Sequence, residues 1–448
     1  MRIAVVGSGV AGLGAAWALS RRHDVTVFEA EARLGGHANT LDVAWPDGTT
    51  TAVDTGFIVY NPRNYPYLIR LFDQIGAPTE GSDMSFAVSL DQGRLEYAGS
   101  PIGLVAQPSN VLKPSYWAMV RQILRFYKEA PALLALDPED PAAMQALGDY
   151  LQDNGYGDNF TYNHLLPMAA AIWSCPVDAV MRFPVRSFVQ FLDNHGLMLI
   201  RGRPQWRTVA GGSREYVQRI ADAVGHERFH TNAPVRALRR SRDGVTLFTD
   251  AGPHHFDQVV LATHGDQALR ILGDDASDAE RQTLGAFTYE ANQTYLHSDP
   301  TLMPRRRAVW SSWNYIGDGT QDASAKVSVT YWMNRLQNLP GRNLFVSLNP
   351  LTAPAPDTVH AEMAYTHPVF DGPAIAAQGR LPYIQGAYHT WFCGSYCGYG
   401  FHEDGLEAGL AVASALGAPP PWSEDVTPAS PAARCADGAQ PTPQAAAE

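Results

Sequence analysis

Three glycines near the N-terminus, Gly7, Gly9 and Gly12, stand in the spacing GxGxxG. They follow a β-type apolar run at residues 3–6 and open a helical pattern over residues 11–19. A second β-type run, residues 25–28, ends at Glu29, 22 residues beyond Gly7. Strand, glycine turn, helix, strand and terminal acid, in that order, constrain the chain to a parallel βαβ unit that binds a dinucleotide. Gly7 permits the tight turn, Gly9 lets backbone approach a pyrophosphate, and Gly12 lets helix and strand pack closely. The helix start, around Ala11, offers free N–H groups and a positive dipole end to phosphates. Glu29, with Ala30 beside it, falls where a carboxylate accepts hydrogen bonds from a ribose diol.

The next residues separate NAD from FAD. Glu29-Ala30-Glu31-Ala32-Arg33-Leu34-Gly35-Gly36 resembles the ExxxRxGG extension of FAD enzymes. Paired glycines admit the extended half of that cofactor, and the planar fork of Arg33 can neutralise a phosphate.

Composition excludes several classes. Hydrophobic residues make up 45% and charged residues 17%, too apolar for a disordered chain. A formal charge of −12 argues against a nucleic-acid partner, which needs clustered Lys and Arg. Four cysteines are too few for a disulfide scaffold, and the spacing of Cys393 and Cys397 is CxxxC. No metal site is expected. No apolar run approaches the roughly 18 residues of a spanning helix, and the Gly-rich start does not read as a signal peptide. The expectation is a cytoplasmic protein, with peripheral contact at the inner membrane face left open. Lysine occurs only at Lys113, Lys128 and Lys326.

At 448 residues the chain exceeds what one core usually serves. Strand and helix patterns near 205–285 and 371–418 match the texture of residues 1–75, so these three segments are expected to build one discontinuous Rossmann-type α/β domain. Residues 76–204, helical and aromatic, and 286–370, β-rich, are expected to build a second, mixed α+β substrate domain. From residue 419 to 448 the Pro- and Ala-rich composition predicts a disordered tail.

These blocks resemble the flavin-containing amine oxidase and phytoene desaturase superfamily. The first block includes Asp54-Thr55-Gly56-Phe57, the second Gly211-Gly212-Ser213, Val235 and the run ending at Thr263. The third runs from Phe392-Cys393-Gly394-Ser395 through Gly400-Phe401-His402-Glu403-Asp404-Gly405. The resemblance implies that Val235 holds the adenine through its backbone. It also implies that Gly56, Phe57, Ile58, Thr263, Gly394, His402 and Glu403 lie along the cofactor, the last helix facing its flavin with its N-terminus. More narrowly, Leu34-Gly35-Gly36-His37, Ala171-Ile172-Trp173-Ser174 and Pro204-Gln205-Trp206-Arg207 resemble a bacterial subgroup linked with cyclopropane-fatty-acid synthases, and the flavoprotein half of plant cyclopropane synthases. One member type desaturates a methyl-branched phospholipid acyl chain.

Two departures stand out. His37 occupies the place where amine oxidases usually carry Arg. Those enzymes also commonly set a Lys beside the flavin, and here only Lys326 is a candidate. The expected activity is therefore FAD-dependent oxidation or desaturation of a lipid acyl chain. Amine oxidation, and a non-catalytic role beside a fatty-acyl methyltransferase or cyclopropane synthase, are the alternatives. Trp117, Phe126, Tyr127, Phe183, Phe188, Phe191, Trp310, Trp313, Tyr331 and Trp332 are candidates for an acyl groove. His195, Tyr396 and His402 are candidate proton handlers. Arg201, Arg203, Arg207 and the run of arginines at 305–307 are candidates for meeting phospholipid head groups.

Overall fold

The computed structural model describes residues 1–137, 140–173, 177–194, 196–319 and 328–422. His195 and Lys326 lie outside the described residues.

One sheet is parallel throughout, in the order Thr390–Phe392, Gln258–Leu261, Arg2–Val6, Asp24–Phe28, Phe229–His230. Its central strands read as continuous apolar runs because both faces are covered. The helix Val10–Leu19 is buried over its whole length. A helix apolar on every side must be enclosed, and this one lies against the helix His402–Ala415. A three-stranded antiparallel sheet, Ala237–Ser241, Gly244–Thr249 and Gly252–Phe256, is built from the same part of the chain.

A second sheet has seven strands, in the order Val359–Pro368, Tyr289–His297, Phe345–Leu348, Ser328–Trp332, Trp313–Gly317, Phe86–Leu90, Leu95–Ala98. Pairing is antiparallel except where Trp313–Gly317 runs parallel to Phe86–Leu90. Side chains alternate between faces along each strand. One face therefore carries Phe86, Val88, Trp313, Tyr315, Tyr331, Val346, Leu296 and Tyr365. Helices between residues 101 and 194 close over the Val88 end of that face, in a core containing Phe126, Phe160 and Phe188. The hairpin Thr40–Ala44/Thr50–Asp54 covers another part, with Val43 and Val53 against Leu296 and Val346. The result is a mixed α/β fold.

The first four residues of the predicted tail, 419–422, belong to the described fold. Trp422 is buried and stacks on Trp17 with ring centroids 5.3 Å apart.

Asp54, at the end of the hairpin, ties distant segments together. It is 1% exposed. Its carboxylate accepts hydrogen bonds from Ser213 N at 2.9 Å, Ser213 Oγ at 2.7 Å, Thr40 Oγ1 at 2.6 Å and Gln337 Nε2 at 2.9 Å. Burial outweighs these bonds and pushes its pKa up to about 6. Asp54→Ala would strand buried donors from three parts of the chain. It is expected to destabilise the protein by about 3 kcal/mol, read from urea unfolding at neutral pH. A loss below about 0.5 kcal/mol would show that the network is not structural.

Candidate functional site

The loops after four parallel strands meet at one edge of the sheet. Residues 7–9 follow Arg2–Val6, 29–30 follow Asp24–Phe28, 262–263 follow Gln258–Leu261, and 393–394 follow Thr390–Phe392. Ligands of open α/β sheets bind outside the carboxyl ends of the strands, so Gly7, Gly9, Glu29, Ala30, Thr263 and Gly394 share the right edge.

Local bonds fix this edge. Gly7, at φ +100°, donates its N–H to Phe28 O at 2.8 Å. Ser8 donates to Glu29 Oε2 from its backbone at 2.8 Å and its hydroxyl at 2.6 Å, and Glu31 N donates to Oε1 at 2.9 Å. The Glu29 carboxylate is thus held rigidly at the strand end. Arg33 donates to Gly36 O at 2.8 Å and pairs with Glu31 at 3.0 Å. Gly35 N donates to Ser8 O at 3.0 Å, which lays the paired glycines against the phosphate turn.

The turn has the shape a pyrophosphate requires. A methyl group on Gly9 would meet nothing within 4 Å, whereas one on Gly12 would collide with the Gly7 carbonyl. Open space lies in front of the helix end, and closed packing lies behind it. Ala11 and Gly12 belong to the first turn, whose N–H groups have no partner inside the helix. These residues fit a dinucleotide. Val235 is buried in the core of the same lobe.

The second end of the site is built from histidines and aromatics. Phe57 N donates to His37 O at 2.8 Å, so the 54–57 segment is strapped to the glycine pair at 35–36. Thr208 Oγ1 donates to the carbonyl of Ile58 at 2.8 Å, and Gly56 packs against His37 backbone. The His37 ring lies 5.0 Å from Tyr365, 5.4 Å from His367 and 6.2 Å from His264. Its Nε2 is buried without a hydrogen-bond partner among the described residues. Burial first, then the neighbouring His367 and His264, hold its pKa well below the usual value. His367 and His264 are held down by burial too. The cluster is therefore neutral at physiological pH. It offers an unused ring nitrogen where a flavin would end. Only His37 and the neighbouring Thr263 were legible in the sequence, because Tyr365 and His367 arrive from a strand more than 300 residues away.

His402 opens the helix His402–Ala415. Its ring stacks on Phe57 at 3.8 Å, and its Nε2 faces the Tyr216 hydroxyl at 2.6 Å. Burial brings its pKa down to about 3. It is a neutral ring held by two neighbours, placed to position the helix start.

The Glu403 side chain serves the fold rather than the cofactor edge. Its carboxylate turns away and accepts from Tyr67 N at 2.6 Å and Leu68 N at 3.0 Å, the first turn of the helix Pro66–Ile75. Only its backbone N–H belongs to the helix end facing the site. Tyr396 is 1% exposed, packs on Phe287 at 4.8 Å, and belongs to the core of the parallel sheet.

Several groove candidates are core residues. Phe126, Phe183, Phe188 and Phe191 are buried within the helical cluster. Trp310 and Trp332 lie together, 5.4 Å apart, beneath Arg307. Trp332 shares a strand face with Thr330, opposite Tyr331. The arginine run is structural too: Arg305 N, Arg306 N and the Arg306 guanidinium all donate to the buried Glu96 carboxylate. Arg207 donates to Thr79. Other aromatic and apolar side chains are half-buried. Phe86 and Tyr315 touch both the helical core and the hairpin core, and Tyr162, Ile172, Tyr399 and Phe401 approach the edge of the helical core. Tyr162 sits in a π turn, Thr161–Leu165, a distortion common at functional sites.

Known proteins agree with this geometry. Residues 10–291 match the model of the flavin containing amine oxidoreductase family. A curated relative from Dictyostelium discoideum, "Probable flavin-containing monoamine oxidase A", is 24% identical over 286 residues, 58% of this chain and 56% of that protein. The chain thus spans little more than half the length of that relative. Among solved structures, a putrescine oxidase bound to putrescine superposes with TM-score 0.68 at 17% identity, over 93% of this chain and 99% of that one. A fatty acid isomerase from P. acnes that produces CLA superposes with TM-score 0.62 at 17% identity, over 91% and 96%. At such identities these structures establish the fold. With the family model covering more than half of the chain and the glycine turn, ribose acid and facing helix in place, the chain belongs to the flavin-containing amine oxidoreductase family and binds FAD.

Proposed function

We propose that this oxidoreductase oxidises or desaturates the acyl chain of a lipid, in line with the methyl-branched phospholipid suggested by its subgroup. The observation that carries the reading is a set of half-buried apolar side chains packed at the edges of the helical and hairpin cores. The side chains there, Phe86, Tyr315, Tyr162, Ile172, Tyr399 and Phe401, are apolar or aromatic and half-buried. The titratable rings nearest the flavin end, His37, His264, His367 and His402, are neutral. A saturated chain desolvates at little cost against such a lining, whereas a cationic head would lose hydration without a counter-charge.

Bound FAD would supply the two-electron acceptor for this oxidation. The chain's residues do the rest. The glycine turn and the helix end at Ala11 hold the pyrophosphate, and Glu29 orients the ribose. The start of the helix His402–Ala415 presents N–H groups where a reduced flavin gathers negative charge. The half-buried aromatic side chains hold the acyl carbon and exclude water. We place Gly7, Gly9, Ala11, Gly12, Glu29, Ala30, Arg33, Gly35, Gly36, His37, Gly56, Phe57, Ile58, Val235, Thr263, Gly394 and His402 along the cofactor.

The test is anaerobic titration of purified holoprotein. A phospholipid with a methyl-branched chain is expected to bleach the flavin bands and to lose two hydrogens by mass. If a panel of primary amines bleaches the flavin and the lipid leaves it oxidised, the protein is an amine oxidase instead. That reading draws its support from the family description and the relative from Dictyostelium.

A further inference from the structure

Two of the three lysines bracket a single helix: Lys113 precedes Pro114–Glu129 and Lys128 lies in its last turn. That helix turns Tyr116, Met119, Ile123 and Phe126 inward. Trp117, Arg121, Leu124 and Lys128, spaced four, three and four apart, form the opposite, exposed stripe. The short helices before it add Ile102, 75% exposed, and the turn before Lys113 adds Leu112, 85% exposed.

Charge on this face opposes that of the molecule. Residues 101–129 carry Lys113, Arg121, Arg125 and Lys128 against the single acid Glu129, in a chain of net charge −12. Arg125 and Glu129 neutralise each other at 2.9 Å. Lys113, Arg121 and Lys128 have exposed side chains.

We propose that this face docks on an anionic lipid bilayer. Large apolar side chains in water, interleaved with cations and edged by a tryptophan, match the boundary between head groups and acyl chains. The cations attract anionic head groups, while the acidic remainder of the protein is repelled. A second copy of the chain fits poorly, because pairing this face with itself sets lysine against lysine. The surface stands on its own observations. Its use, delivery of an acyl chain to the flavin end, rests on the lipid reading above.

The test uses full-length holoprotein and vesicle co-sedimentation. Binding is expected to vesicles of phosphatidylcholine with phosphatidylglycerol, to weaken with added salt, and to be slight with phosphatidylcholine alone. Lys113→Glu with Lys128→Glu, and separately Leu112→Glu with Trp117→Glu, should each lower anionic-vesicle binding about tenfold or more. Flavin absorbance should not change. Failure to bind anionic vesicles, or unchanged binding by both variants, overturns the proposal. So does concentration-dependent dimerisation that Leu112→Glu with Trp117→Glu abolishes. Vesicle binding without flavin reduction by any lipid upholds docking and overturns the acyl-chain reading. Flavin reduction by detergent-dispersed lipid without vesicle binding does the reverse.

Discussion

Gly9→Asp is expected to give a folded protein that emerges without FAD, and Gly12→Ala one that is damaged in its fold. The two positions are neighbours in one turn, but their surroundings differ. A Cβ at residue 9 meets no atom within 4 Å, so the backbone tolerates it. The added carboxylate then stands in front of the helix Val10–Leu19, where the cofactor's pyrophosphate must lie. Like charges set against each other cost several kcal/mol. A loss of about 3 kcal/mol lowers FAD affinity on the order of 100-fold. At residue 12 even a methyl group strikes the Gly7 carbonyl and comes to 3.2 Å from the Ala262 side chain. Helix and strand must separate, at about 1–3 kcal/mol for an overpacked site, before any cofactor is considered. Flavin absorbance of the purified variants, with thermal unfolding of each, separates the two outcomes. Gly9→Asp retaining full flavin would remove the pyrophosphate from this turn. Gly12→Ala unfolding like wild type would show that the close approach of helix and strand is not strained.

That contrast also shows what the chain makes legible. The glycine turn, the ribose acid and the Arg33 loop are local: their spacing fixes geometry within a few tens of residues. The flavin end is not. His37 comes to Tyr365 and His367 only because Tyr289–His297 pairs with Val359–Pro368 in one register. A shift of one residue would turn both side chains to the other face. The aromatics suffered the same ambiguity. Tyr331 and Trp332 are adjacent in sequence but point to opposite faces of the sheet. Trp313 meets Tyr331 edge-to-face at 5.0 Å on one face, and Trp310 meets Trp332 on the other. Burial depends on these partners, so composition exposed an aromatic supply without revealing which rings fill a core. Tyr315, which packs on both the helical and the hairpin cores, carried no distinguishing signal.

His164→Phe should make the protein markedly less sensitive to acid. His164 is buried between two phenols, with Nδ1 3.0 Å from Tyr97 Oη and Nε2 3.2 Å from Tyr127 Oη. Burial pulls its pKa from 6.5 down to about 4. The unfolded chain therefore binds a proton that the folded chain refuses. Stability from this residue is fully present above pH 6.5 and is lost as pH falls toward 4. Between pH 7.5 and pH 5 the loss is about 2 kcal/mol. His297 contributes a second loss of the same sign. It is fully buried, its pKa is also brought down to about 4, and its Nδ1 accepts from Asp299 N while its Nε2 faces Ser347 Oγ. A proton on Nδ1 would confront that N–H. Asp54 and Glu403 oppose both histidines, because burial raises their pKa values and protonation at low pH relieves a buried charge. The wild-type curve is the sum, so the informative quantity is the difference between variant and wild type. Phenylalanine keeps the ring volume, and Tyr97 retains its bond to Asn163 O at 2.7 Å. The lost contact to Tyr127 costs the same at every pH. Urea unfolding at pH 7.5 and pH 5 should thus show the variant gaining about 2 kcal/mol on wild type over that interval. A constant difference across pH would mean that His164 binds its proton equally well folded and unfolded, and that the enclosing phenols do not exclude the charged ring.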